Sequence, residues 1–136
     1  MLVEHARNVE RIDDASHAEY GASGTAVVSL LSCSLVDSVI AIRIAPGSRL
    51  AQIHDATTAI ERTHCNYGLE PAFAHIASSG GLSISATDET GEVRAVERAE
   101  HPFFLATLYQ PQRTSTPAAP HPLWTAFVSA VMSGRD

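Results

Sequence analysis

Cys33 and His64 are the residues whose types could supply a nucleophile and its base. A thiol attacks carbon as the thiolate, which needs a neighbouring base, and imidazole is the side chain that titrates nearest neutrality. Cys33 lies in the small-residue stretch Ser32-Cys33-Ser34-Leu35, where a side chain would be partly open, and His64 ends a strand-like run. The two meet only if their strands are neighbours with both tips on one side, and Gln110 or Asn66 would then be the neutral polar partner. Otherwise Cys33 is a packed thiol, the commonest fate of an unpaired cysteine. Tyr67, in the turn-like Asn66-Tyr67-Gly68, is the aromatic best placed to line a small-molecule pocket. His64 and Cys65 are adjacent, so on a strand they face opposite sides and cannot hold one ion together; no metal site is expected. Asp88, Glu97 and Glu100 read as a solvated hairpin face, and His101 and His121, each before a proline, as turn-shaping residues. Gly80-Gly81 has no Lys-Ser/Thr after it and reads as a helix stop, so no cofactor is expected.

The elements that must position these residues follow from periodicity. Leu2, Val3, Ala6 and Val9 recur on one stripe, with Glu4, Arg7 and Asn8 facing away, which predicts an amphipathic helix at the start. Ala26–Leu31 and Ser38–Ile44 predict two strands divided by a turn at Ser34–Asp37, and Thr57–His64 a third that Asn66-Tyr67-Gly68 breaks. Ser48 can cap a short helix through Gln52, and Pro71 can open one that ends at Ser78. Leu82, Ile84 and Ala86 alternate with serines, Asp88–Gly91 supplies a turn, and Val93 and Val96 return, so a hairpin is expected. Phe103–Tyr109 reads as a central strand covered on both faces, and Leu123, Phe127, Ala130 and Val131 as the apolar face of a closing helix.

Composition narrows the function classes. The chain has 136 residues, 45% of them hydrophobic, enough for one domain with a buried core. A net charge of -6 with 9 Lys and Arg, scattered along the chain, argues against a nucleic-acid or anionic-membrane surface. Two cysteines so far apart form neither a disulfide scaffold nor a zinc knuckle, and no apolar run is long enough to span a bilayer. A cytoplasmic location is expected.

Several segments, in order, resemble the C-terminal half of the glutamine amidotransferase domain of CTP synthase, a class I amidotransferase. They are Leu2–Val9, Ala45–Leu50, Ile60-Glu61-Arg62 through Tyr67, Gly81–Ala86, His101-Pro102-Phe103-Phe104, Thr114-Ser115-Thr116-Pro117 and His121-Pro122-Leu123. The resemblance implies an α/β fold, the layered flavodoxin-like architecture of that class, C-terminal half only, with a mixed sheet and flanking helices. One truncated domain over residues 1–136 is expected. The family's triad is a cysteine, a histidine base and a glutamate that orients it. The resemblance puts the cysteine before Met1, and Gln110-Pro111-Gln112 stands where the family has His-Pro-Glu. Asn66 replaces an arginine that helps hold the substrate glutamine, which leaves Asn66, Tyr67 and Gln112 as candidate substrate-binding residues. A glutamine side chain does not titrate near neutrality and can neither take the thiol proton nor orient an imidazolium. Loss of triad members costs factors of about 10⁴ to 10⁶ in turnover.

The expectation is a CTP-synthase-like pseudoenzyme, unable to hydrolyse glutamine, that acts as a binding or assembly module. Either a homodimer or a partner chain would cover the truncated sheet. The rival expectation is an enzyme of small-molecule or nucleotide-related metabolism that reuses the old glutamine pocket through Cys33, His64 and Gln110. A third is that Met1 is an internal residue of a longer amidotransferase.

Overall fold

The computed structural model describes residues 1–21 and 23–134. Its elements run, in chain order, α1 (Leu2–Asn8), β1 (Ala15–His17), β2 (Thr25–Ile44), α2 (Arg49–His54), β3 (Thr58–Leu69), β4 (Ser83–Asp88), β5 (Val93–Glu97), β6 (Leu105–Thr107) and α3 (Pro122–Ser133). Short 3-10 segments at Ala18–Tyr20, Pro71–Ser78 and Pro111–Arg113 join them. This is the α/β class that the sequence implies, with helices flanking one mixed six-stranded sheet.

β2 organises the sheet. It pairs antiparallel with β3 along most of its length, from Val28 opposite Leu69 to Arg43 opposite Thr58. A strand has two edges, so β1, parallel at Thr25–Val28, and β4, antiparallel at Ile42–Ile44, share the other one. β5 and β6 then extend the sheet beyond β4.

The expected turn at Ser34–Asp37 is instead the irregular middle of this single 20-residue strand. Register slips between Leu30 and Leu35 and between Leu35 and Ser38, and Asp37 adopts φ 49°. Extra residues are absorbed as bulges, so small polar residues that suggest a turn here mark an interruption of the ladder. Likewise, Asn66-Tyr67-Gly68 does not end β3, which continues to Leu69 because Tyr67 and Gly68 pair with Leu30 and Ser29.

Two apolar clusters sit at the two ends of β2. Val27 and Val28 pack with Ala6, Ala15 and Ile76, with Leu2 and Val3 of α1 beside them. Ile42 and Ile44 pack with Leu50, Ala86, Ala95, Tyr109 and Leu123. α2 starts where the sequence suggests, with Ser48 Oγ accepting from Ala51 N at 3.0 Å. Glu97, expected on a solvated face, is buried: its carboxylate accepts from Arg49 N at 2.8 Å and Leu50 N at 3.2 Å. Those two N–H groups have no partner inside the helix, and a carboxylate there also meets the positive end of the helix dipole. The hairpin forms as expected, with Asp88 Oδ1 accepting from Thr90 N and Glu92 N.

Two expectations fail at the C-terminal end. β6 is a three-residue edge strand rather than a central one, because among the described residues β5 is its single sheet partner and residues before it are bent into a loop. The Arg49 guanidinium holds that loop by donating to the carbonyls of Ala99, His101 and Pro102. In α3 Leu123 is buried, whereas Phe127 and Val131 are 45% and 42% exposed, so the expected apolar face is largely uncovered.

Candidate functional site

β3 determines where the candidate residues go. Successive side chains on a strand face opposite sides, and along β3 Glu61, Thr63, Cys65 and Tyr67 turn inward while Arg62, His64 and Asn66 turn outward. His64 and Asn66 are therefore on the opposite face from Tyr67.

Outside, His64 Nδ1 lies 3.1 Å from Asp37 Oδ1, and the same carboxylate is paired with Arg113. The hydrogen bond from His64 is the main reason that the Asp37 carboxyl sits below its ordinary value of 3.8; the charges of His64 and Arg113 add to it, against a smaller effect of burial. An aspartate hydrogen-bonded to Nδ1 orients the ring with Nε2 turned away from that carboxylate, the arrangement used in general-base catalysis. Nearby, Ser34 Oγ donates to Asn66 Oδ1 at 2.6 Å. Cys33 is exposed, and among the described residues no hydrogen bond joins it to His64. Gln110 is tied to the same region through its backbone, its N–H donating to Arg62 O at 2.9 Å, and Gln112 is exposed on the following 3-10 turn.

Inside, Tyr67 and Cys65 line a cavity of about 320 Å³ together with His17, Val28, Arg94 and Thr107. Cys65 Sγ donates to Tyr67 O at 3.1 Å. Arg94 is buried and paired with Asp88 and Glu92, each at 2.6 Å, while among the described residues its Nε has no partner. Burial raises the Asp88 pKa, but hydrogen bonds from Thr90, Glu92 and Arg94 and the Arg94 charge outweigh it and leave the group below 3.8. Cys33, His64, Gln110 and Gln112 do not line this cavity.

A second buried polar group lies further along the inner face. His121 Nε2 is 3.0 Å from Glu61 Oε1 and 3.2 Å from Oε2. His54 Nε2, from the end of α2, stands 3.9 Å from the same carboxylate. His121 does more than shape a turn, since its Nδ1 accepts from Leu123 N and caps α3. Burial pushes Glu61 above its ordinary 4.5, partly countered by His121, and burial followed by the His121 charge pushes His54 below 6.5. Tyr109, also buried, has its hydroxyl pKa raised by burial and by the Glu61 charge. Sequence reading misses this group because its members lie on three elements. The signal it did carry is the alternation that sends Glu61 to the same side as Thr63.

No family model matches the chain. The chain is 30% identical to a CTP synthase of Caulobacter sp. (strain K31) over 148 residues, which cover 95% of this chain and 27% of that protein. It is 30% identical to the CTP synthase of Brucella ovis over 149 residues, 96% of this chain and 28% of the relative. The chain thus spans little more than a quarter of the length of these curated relatives. Among solved structures, the glutaminase domain of Trypanosoma brucei CTP synthase, with bound acivicin, superposes with a TM-score of 0.85 at 29% identity, covering 97% of this chain and 56% of that one. A putative GMP synthase component from Thermoplasma acidophilum shares the fold, with a TM-score of 0.59 at 13% identity over 79% of this chain and 49% of that one.

The fold is that of a class I glutamine amidotransferase domain. Within that class the chain is a relative of the glutaminase domain of CTP synthase.

Proposed function

We infer that this chain is a relative of the CTP synthase glutaminase domain that does not hydrolyse glutamine and serves as a binding or assembly module. The observation that carries the reading is Gln110-Pro111-Gln112, where the resemblance calls for a histidine base and its glutamate. Neither amide moves a proton near neutral pH, and the triad loses its function with them.

The surface supports the assembly role. Ile60 and Val39 are 66% and 58% exposed on the outer side of the β2–β3 ribbon, and Trp124, Phe127, Val128 and Met132 are exposed on α3. The chain also corresponds to 56% of the glutaminase domain it superposes on. Exposed apolar area of this kind is normally covered by a second copy or a partner chain. Among the described residues no helix is long and apolar enough to cross a membrane, and a cytoplasmic homodimer is the form we expect.

Purified protein incubated with glutamine should release no glutamate above the blank, and a rate proportional to protein concentration would overturn the reading. Light scattering should show self-association at micromolar concentration that Ile60→Asp abolishes. A folded monomer that binds no other chain would remove the assembly role.

The cavity at Tyr67 favours a second reading, in which a small molecule binds there, while His64, held by Asp37 on the opposite face, would act as a base only on a separate ligand at that outer face. Cys33, Asn66, Gln110 and Gln112 are the further candidates on that side. A metabolite that raises the melting temperature of the parent but not of Tyr67→Ala would support it. An activity unchanged in both Cys33→Ala and His64→Ala would end the catalytic part.

A further inference from the structure

The group at His54, Glu61 and His121 has a property that core packing does not explain. His54 is 92% buried at its side chain, since 8% is accessible, yet among the described residues its Nε2 has no hydrogen-bond partner. The Tyr109 hydroxyl is likewise buried and unpartnered among the described residues, and its ring centroid is 6.4 Å from that of His121. Buried polar atoms are nearly always satisfied, so two orphans beside one carboxylate point to a missing partner.

We propose that His54, Glu61 and His121 bind one divalent transition-metal ion, with Zn²⁺ the best match to the donors. One ligand atom from each residue lies within 4.8 Å of the other two. Donors about 2.0–2.2 Å from a tetrahedral Zn²⁺ stand roughly 3.4 Å apart. The observed 3.0 Å between His121 and Glu61 and 3.9 Å between His54 and Glu61 bracket that value, so side-chain shifts below an ångström suffice. Two imidazoles and one carboxylate suit zinc rather than magnesium or calcium, which take oxygen ligands.

One rearrangement is required. His121 Nδ1 accepts from Leu123 N–H, so the imidazole proton is on Nε2, where it faces Glu61. When the metal takes Nε2, that proton moves to Nδ1 and the cap from Leu123 is given up. A single cap contributes far less than a structural zinc ion. In return the ion ties α2, β3 and the start of α3 together, which matters because α3 buries so little of its apolar face.

The test uses the tag-free full chain, stripped by chelator and titrated with Zn²⁺ against a chromophoric competitor, then with Co²⁺ by visible absorption. Saturation at one equivalent is expected, with the intense visible bands of four-coordinate Co²⁺. The melting temperature should rise by about 5–10 °C when Zn²⁺ is at a hundredfold excess over Kd. His54→Gln, which removes no hydrogen bond of the metal-free fold, should weaken binding at least 100-fold, whereas His64→Gln on the outer face should leave it unchanged. Absence of saturable binding below 100 µM, or equal binding by the parent and His54→Gln, would overturn the proposal.

Discussion

Along β3 the inner and outer faces invert the usual relation between polarity and burial. Inside are Glu61 at 2% exposure and Thr63 at 0%; outside, Ile60 is 66% exposed beside Arg62 and His64. The inner polar groups are held by specific partners, Thr63 Oγ1 donating to Leu35 O at 2.7 Å and Glu61 facing His121. Outside, the Asp37–His64 pair is solvated, where ion pairs contribute little to stability. The difference separates two jobs. The inner face fixes the fold through polar contacts that are costly to break, and the outer face is available for recognition.

Metal-free protein should show this contrast in equilibrium urea unfolding. Glu61→Ala leaves the His121 Nε2–H buried without an acceptor and should cost about 3 kcal/mol, the largest effect. Glu97→Ala, which frees the N–H groups of Arg49 and Leu50 at the start of α2, should cost about 2 kcal/mol. Thr63→Val keeps the side-chain shape and loses one buried hydrogen bond, for about 1 kcal/mol. On the outer face His64→Gln should stay within about 0.5 kcal/mol of the parent. A cost there as large as that of Thr63→Val would erase the distinction.

The smallest effect is one of pH. Asp37 has a lowered pKa in the folded state, so its contribution to stability is present above the ordinary value of 3.8 and is lost as pH falls through the lowered one. Asp37→Asn should flatten the acid-side fall in urea midpoint below the ordinary carboxylate value of 3.8 and leave the neutral-pH midpoint nearly unchanged.

Local signals in the sequence were sufficient for features built from neighbouring residues. Ser48 caps α2, Asp88–Gly91 turns the hairpin, and Leu2, Val3 and Ala6 form a helical stripe, because each is decided within a few residues. What escaped depends on pairing across distance. Ser34–Asp37 reads as a turn until β3 is laid alongside, and Asn66-Tyr67-Gly68 reads as a break until Leu30 and Ser29 are seen opposite. The edge position of β6 is set by β5, and the burial of Glu97 by a helix that starts 48 residues earlier. The candidate site divided for the same reason: a strand that continues past His64 puts Asn66 on its face and Tyr67 on the other. The family resemblance was legible because it rests on ordered short motifs, which survive without knowledge of register.

The bulged middle of β2 has a consequence for how the molecule opens. Ladder pairing is regular from Val28 to Leu30 and from Ser38 to Arg43 and slips twice between them. Amide exchange should therefore resolve two protected stretches, one around Val27 and Val28 and one around Ile42–Ile44, separated by fast-exchanging amides near Ser32–Asp37. Each stretch closes against partners remote in sequence, a topology that slows folding. A strand that is continuous in the chain would then behave as two cooperative units, each able to breathe while the other stays shut.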